Sequence, residues 1–264
     1  MSLDTLPAVI NKLDKNMKTS ADRLVLLVSD SHLPLDNRSG AQGQINEFIG
    51  LLSHYREQMS SLILLGDNFD FWYEWKHTIP KRAYPVLKLL DDLINQGVSC
   101  HYFAGNHDFK LLGFLNKEVG LNIHMNEWKT VFDGKQYYFH HGDGMADSDV
   151  NYRKMKKVFR SRWAQKLFGT FIHPDLAMEA GRLTSESGRY RHRKNLKANP
   201  PQKEYIAKAQ SIIRQGNDVV VFGHTHLPCS IELEGGLYHN PGPFLAQKSY
   251  SIIAGGLPQP EVWE

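Results

Sequence analysis

Leu24-Val25-Leu26-Leu27-Val28 runs straight into Ser29-Asp30-Ser31-His32, an apolar, β-branched run that stops at a polar cluster. The same design recurs along the chain. Leu62-Ile63-Leu64-Leu65 leads to Gly66-Asp67-Asn68-Phe69-Asp70, and His101-Tyr102-Phe103-Ala104 to Gly105-Asn106-His107-Asp108. Tyr137-Tyr138-Phe139-His140 leads to His141-Gly142-Asp143, and Val219-Val220-Val221-Phe222 to Gly223-His224-Thr225-His226. Short apolar and aromatic runs bounded by glycine read as buried strands. Between them, Ile45, Phe48, Ile49 and Leu52 fall at helical intervals, as do Val86, Leu89, Leu90 and Leu93 before a stop at Gly97. This alternation predicts a layered α/β domain with ligands collected at the carboxyl ends of the strands, where all five polar clusters stand.

Toward the C-terminus, Ser230–Leu233 and Leu237–His239 flank Glu234-Gly235-Gly236 and read as a hairpin. Asn240-Pro241-Gly242-Pro243 reads as a turn, and Tyr250–Ile253 as a last strand before Gly255-Gly256. The stretch from Asn151 to about Gln215 differs in kind. Arg and Lys mixed with Met155, Val158, Phe159, Trp163, Leu167 and Phe168 predict amphipathic helix. The expected organisation is one domain over residues 1–264 with a helical, lid-like insert at about 151–215.

Composition sets the outer limits. The 264 residues are 41% hydrophobic and 22% charged, ordinary for a globular chain, with no run of eighteen apolar residues to cross a membrane. Met1–Ala21 lacks the continuous apolar core of a secretory signal, so a cytoplasmic location is expected. The two cysteines, Cys100 and Cys229, are far apart in apolar contexts and read as reduced, buried thiols. The net charge of +3 conceals an asymmetry. From Asn151 to Pro200 there are thirteen Lys/Arg against Asp175, Glu179 and Glu186, a local +10 that leaves −7 on the rest. A basic segment in an acidic body suits an anionic partner, whether phosphorylated substrate, membrane surface or nucleic acid; a solvated helical face would look the same.

A pair of divalent ions needs oxygen and imidazole donors converging from separate strands, one of them shared. Asp30 and His32, two apart at a strand end, can bend toward one ion. Asp67 has two carboxylate oxygens and can bridge. Asn106 supplies a neutral amide oxygen, and His141, His224 and His226 complete the two sets of ligands. Gly223 beside His224 permits close backbone approach to an ion.

The order Asp30-x-His32, Gly66-Asp67-x-x-Asp70, Gly105-Asn106-His107-Asp108, His141-Gly142-Asp143, Gly223-His224-x-His226 resembles the calcineurin-like metallophosphoesterase superfamily, from about Leu24 to Pro243. That resemblance implies a four-layer α/β/β/α sandwich holding two ions such as Mn²⁺, the same donors also suiting Fe, Co, Ni or Zn. It implies that Asp30, His32, Asp67 and His226 bind one ion, and Asp67, Asn106, His141 and His224 the other. His107 has no metal slot; next to a ligand, it is placed to protonate the leaving oxygen or stabilise the transition state, oriented by Asp108, and a hydrogen-bonding residue behind the ligands would look the same. Asp70 is expected to support the site rather than to bind metal.

Two further stretches narrow the substrate. Phe69-Asp70-Phe71-Trp72-Tyr73-Glu74-Trp75 puts aromatics beside the bridging carboxylate, and His140-His141-Gly142-Asp143-Gly144 leads into the basic aromatic segment Tyr152–Phe168. Together they are similar to the UDP-2,3-diacylglucosamine pyrophosphatases of bacterial lipid A synthesis. The similarity implies hydrolysis of the pyrophosphate to UMP and 2,3-diacylglucosamine 1-phosphate, with the insert as a lid over the acyl chains. Phe159, Trp163, Leu167, Phe168 and Phe171 suit an apolar wall, while Lys154, Lys156, Lys157, Arg160 and Arg162 suit phosphates or anionic lipid headgroups. The partner is then a phosphorylated glycolipid or nucleotide, with peripheral contact to the inner membrane left open and no nucleic acid expected. One departure stands out: the best-known branch of these hydrolases has Asn-Arg-Asp where this chain has Asn106-His107-Asp108. The alternative is a nucleotide phosphodiesterase or nuclease on the same metal site, using the basic segment to grip a phosphate backbone. A third reading, a non-catalytic scaffold on this fold, predicts lost ligands, and all seven are present.

Overall fold

The computed structural model describes residues 24–111, 113–181 and 202–264. Six basic residues of the +10 segment, Arg182, Arg189, Arg191, Arg193, Lys194 and Lys197, lie outside the described residues, as does Met1–Ala21. The first half of the chain forms β1 (Leu24–Val28), α1 (Ala41–His54), β2 (Met59–Leu64), β3 (Trp72–Tyr73), α2 (Tyr84–Asn95), β4 (Ser99–Phe103), β5 (Asp108–Lys110), α3 (Phe114–Lys117) and β6 (Asn122–His124). Next come β7 (Trp128–Phe132), β8 (Lys135–His140), α4 (Val150–Phe159), α5 (Arg162–Phe171), α6 (174–181) and α7 (Gln202–Ile213). The chain ends with β9 (Val219–Phe222), β10 (Cys229–Leu233), β11 (Gly236–Asn240), α8 (Phe244–Gln247), β12 (Ser249–Ala254) and β13 (Leu257–Val262).

The strands build two main sheets, one ordered β13-β12-β1-β2-β4-β6 and the other β10-β11-β9-β8-β7, with β3 and β5 paired beside them. In the first, β1, β2, β4 and β6 run parallel; in the second, β8, β9 and β11 do. Period-two alternation explains why these strands read as unbroken apolar runs. Leu26, Val28, Leu62 and Leu64 face α1 and α2, whereas Val25, Leu27, Ile63 and Leu65 meet Tyr137, Phe139, Val219 and Val221 of the second sheet. From that sheet Tyr138, Val220 and Phe222 turn outward against Tyr205, Ala209 and Ile212 of α7. Helices, sheet, sheet, helix: the expected four-layer α/β/β/α sandwich is what the chain forms.

Four expectations need correction. Gln202–Ile213, counted with the insert in the sequence reading, is instead the outer layer on β9 and β11. Tyr250–Ile253 is not the last strand, because β13 folds back on β12 through Gly255 and Gly256, both left-handed. Pro258 and Pro260 hid it; β13 is an edge strand, where proline costs no ladder partner. Cys100 is buried, but Cys229 is only half-buried, and no disulfide joins them. The aromatic run after Asp67 divides: Phe69 and Trp72 stack in the main core, while Phe71 and Tyr73 pack with Phe168 and Ala177. Among the described residues no helix is long and apolar enough to cross a membrane.

Candidate metal centre

All seven expected metal ligands stand in the loops directly after β1, β2, β4, β8 and β9. The backbone there is unusual. Asp30, His32, Asp67, His224 and His226 all have positive φ, between 40° and 63°. Such a conformation costs roughly 1–3 kcal/mol for a non-glycine residue, and its gathering at one place marks a site held by its surroundings. Two glycines make the crowding possible. A Cβ on Gly105 would collide with the Asp67 carboxylate, and one on Gly223 with Ser29 Oγ and the Asp30 carboxylate. Gly223 thus makes room for Asp30, where the sequence suggested room for an ion.

Two clusters of donors result, Asp30–His32–His226 and Asp67–His141–His224, with a third grouping of His32, Asp67 and His107 between them. Donors about 2.0–2.2 Å from one ion stand roughly 3–4 Å from each other. Here His226 Nε2 is 3.1 Å from Asp30 Oδ1, and His32 Nε2 is 4.0 Å from both Asp30 Oδ1 and Asp67 Oδ2. On the other side His141 Nε2 is 3.4 Å from Asp67 Oδ2 and 3.4 Å from Asn106 Oδ1. Asp67 touches both groups, as a bridging ligand must.

The residues fit a metal pair on a further count. His32 is fully enclosed, yet neither of its ring nitrogens has a hydrogen-bond partner. An orphaned imidazole beside two buried carboxylates is costly unless a cation completes it. Burial holds His32 well below the usual histidine range, helped by the neighbouring His107, and burial likewise pushes His224 down to about 4. Neutral imidazole is the form that binds metal. Burial also opposes charge on His141, but the Asp67 carboxylate wins and pushes it up to about 10. Burial works against ionised Asp30 as well, yet His226 and His141 keep it below the carboxylate range. His141 is oriented by its Nδ1–H donating to Leu65 O at 2.7 Å, which turns Nε2 to the centre.

His107 lies at the rim, 18% exposed, its ring edge-on to His32 with centroids 4.7 Å apart. Asp108 does not orient it. Its carboxylate accepts from Tyr102 OH at 2.9 Å, Gly105 N–H at 2.9 Å and Asp67 N–H at 3.2 Å, so it pins the metal loops. The ring is held instead by the Asp70 carbonyl, while the Asp70 carboxylate pairs with Arg38.

Sequence reasoning missed several supports. Asn240 Nδ2 donates to Gly223 O and Thr225 Oγ1, both at 3.0 Å, and so shapes the loop of His224 and His226. Asp143 takes Lys156 Nζ at 2.6 Å and the Tyr152 hydroxyl, tying α4 to the His141 loop. Arg160 donates to the carbonyls of Met125, Ala104 and Gly105. Lys156 and Arg160 are therefore used within the protein, contrary to the phosphate-facing role expected of them. The signal available was position: Asn240 opens a turn, and Asp143 follows a ligand by two.

Beside the centre, Tyr73, Phe109, Phe159, Trp163, Leu167, Phe168 and Phe171 are among the residues lining an open apolar groove of about 470 Å³. Trp163 is 62% and Phe171 75% exposed, so these side chains are not explained by packing on the main domain.

Comparison with known proteins bears on the arrangement. A UDP-2,3-diacylglucosamine hydrolase of Porphyromonas gingivalis is 28% identical over 218 residues, 77% of this chain and 83% of that one. The protein of the same name from Proteus mirabilis is 25% identical over 244 residues, 86% of this chain and 96% of that one. A solved archaeal phosphodiesterase, 15% identical, superposes with a TM-score of 0.46, covering 90% of this chain and 99% of that one. The model of one family, calcineurin-like phosphoesterase, matches residues 23–228 and so takes in every loop of the centre. With five strand-end loops converging on buried Asp, Asn and His donors, and that match spanning them all, the chain belongs to the calcineurin-like phosphoesterase family.

Proposed function

We propose that this phosphohydrolase cleaves the pyrophosphate of an amphiphilic nucleotide–lipid, UDP-2,3-diacylglucosamine, to UMP and 2,3-diacylglucosamine 1-phosphate. Asp30, His32, Asp67 and His226 would hold one divalent ion, and Asp67, Asn106, His141 and His224 the other, with Mn²⁺ the first metal to test. A bound pair supplies an activated water and neutralises charge on the phosphoryl group. The chain's own contribution is positional. Asp67, buried and bonded through Oδ1 to the His107 N–H at 2.8 Å, fixes the distance between the two sets of donors. His107 turns Nε2 toward the centre and is placed to give a proton to the leaving oxygen.

The observation that carries the lipid reading is the groove. Phe109, two residues past His107, lines it, and so does Tyr73, three past Asp70. An apolar groove walled by the residue two past His107 suits a substrate whose phosphate is bonded to an acylated sugar. The exposed apolar face of α4 and α5, edged by Lys154, Lys157 and Arg162, also suits peripheral contact with the membrane holding such a lipid. The nucleic-acid alternative loses ground, since Arg153, Lys156 and Arg160 are taken up in internal contacts.

The test is a product assay on the Mn²⁺-loaded protein with UDP-diacylglucosamine, UDP-N-acetylglucosamine, a cyclic nucleotide and single-stranded DNA. UMP released from the lipid substrate alone is expected. Preferential cleavage of DNA or the cyclic nucleotide would overturn the lipid assignment.

A further inference from the structure

Helix α4 touches both halves of the centre. Along its inner face, Tyr152 and Lys156 close on the carboxylate of Asp143, two residues past His141, and Arg153 donates to Gly144 O and Ala146 O. Directly past its end, Arg160 donates to Ala104 O at 3.3 Å, Gly105 O at 3.2 Å and Met125 O at 3.0 Å. The Asp143 loop leaves the second sheet, and the Ala104–Gly105 loop leaves the first. One helix therefore spans the gap between sheets that share no strand ladder.

The contact falls where it matters. Gly105 O belongs to the same peptide unit as the Asn106 N–H, so holding that oxygen sets the plane from which the Asn106 side chain departs. Glycine has no side chain to restrict it and takes up many backbone conformations. Here its N–H is held by Asp108 and its carbonyl by Arg160. Asn106 and His141, 3.4 Å apart, come from opposite sheets and face each other within the second set of donors. The first set is joined differently: Asp30 takes His226 Nε2 and the His224 N–H directly, with no α4 residue between.

We propose that α4 is a brace between the sheets and that Arg160 is a positioning residue that sets the Asn106–His141 spacing, and with it occupancy of the second ion. This rests on the two-metal reading above. Arg suits the task because its planar fork reaches three carbonyls at once, whereas a lysine ammonium reaches fewer from one rotamer.

The experiment is calorimetric titration of Mn²⁺ into metal-stripped wild type, Arg160→Gln and Arg160→Lys, each first checked for folding by circular dichroism. Wild type is expected to bind two ions. Arg160→Gln should bind one ion at wild-type affinity and the other at least tenfold more weakly, with Arg160→Lys between. Turnover of Arg160→Gln should recover as Mn²⁺ is raised, with KM for substrate unchanged; a general structural defect would not be rescued by metal. If Arg160→Gln fails to fold, Arg160→Lys decides by the same criteria. Two wild-type affinities in a folded variant would overturn the brace. A wild type that binds no ion would overturn the metal reading itself, a different and separately visible failure.

Discussion

The Nδ1 of His107 lies 2.6 Å from the carbonyl oxygen of Asp70. A carbonyl can only accept, so that nitrogen carries a hydrogen, and Nε2 is left facing Asp67 Oδ2 at 3.9 Å. The ring is thereby aimed without any carboxylate behind it. Replacing His107 with Ala should cut turnover by about 10²–10⁴-fold, the usual scale for a general acid. Bound metal, measured by elemental analysis, should stay at the wild-type level. If the variant lost its metal, His107 would instead be a ligand within its grouping with His32 and Asp67.

Asp108 should behave otherwise. Its carboxylate receives three hydrogen bonds, from Tyr102, Gly105 and Asp67, and none from His107. Asp108→Ala leaves the Gly105 and Asp67 N–H groups without their acceptor, on the two loops that carry Asn106 and Asp67. Metal content, thermal midpoint and turnover should fall together, the stability loss being about 1–3 kcal/mol for a buried bond left unmade. A fully metallated variant with only the turnover loss would restore the expected orienting role of Asp108.

Asp67 is the residue both donor sets share. Asp67→Asn removes the charge while keeping the shape, and should empty both positions and abolish turnover. Metal-free, the variant should also melt below metal-free wild type, because the Asp67 carboxylate stands 3.4 Å from His141 and holds that ring charged, and removing it leaves a buried charge unpaired. A metal-free midpoint unchanged from wild type would contradict that account.

The legible part of the molecule was the part governed by local rules. The strand-end loops of Asp30, Asp67, Asn106, His141 and His224 were readable because a two-sided buried strand must be apolar throughout, so its first polar residues announce the loop. The sandwich followed from the same alternation. What stayed hidden depends on contacts remote in sequence. Asp108 pins Gly105, three residues before it, and Asp67, forty-one before it, and no spacing rule says which backbone amides a carboxylate will meet. Arg160 and Lys156 resembled solvent-facing charges because composition does not record direction. β13 was hidden by its prolines, which are excluded from central strands but not from an edge. The positive φ angles at five ligand positions had no signal at all, since Asp and His are found in every conformation.

The groove makes a quantitative claim about substrate length. Trp163, Leu167 and Phe171 line it and are exposed on α5. Trp163→Ser or Phe171→Ser should lower kcat/KM for the diacylated substrate by roughly tenfold or more, since burying such a side chain against an acyl chain is worth about 1.5–3 kcal/mol. Hydrolysis of bis(p-nitrophenyl) phosphate, which has no acyl chain, should be unaffected. Equal losses on both substrates would mean that these residues support the fold or the centre rather than the lipid.

His239 sets a pH limit on the fold as a whole. It stands in β11 of the second sheet, fully buried, with Nδ1 2.8 Å from Ser230 Oγ and Nε2 2.8 Å from Ser251 Oγ on β12 of the first sheet. Burial pushes it down to about 4 from an ordinary value near 6.5. The folded chain thus keeps the ring neutral where the unfolded chain would protonate it. Above about pH 6.5 neither state binds the proton, and this histidine costs nothing. As pH falls from 6.5 toward 4, the unfolded state gains a proton that the fold refuses, and stability drops by up to a few kcal/mol. Urea midpoints at pH 7.5, 6, 5 and 4.5 should fall more steeply for wild type than for His239→Gln, which has no proton to gain. His239→Gln is expected to be the less stable at pH 7.5, because an inter-sheet hydrogen bond is disturbed, and to close the gap as acid is added. Parallel curves at a constant offset would mean that His239 contributes packing alone and that acid lability arises elsewhere.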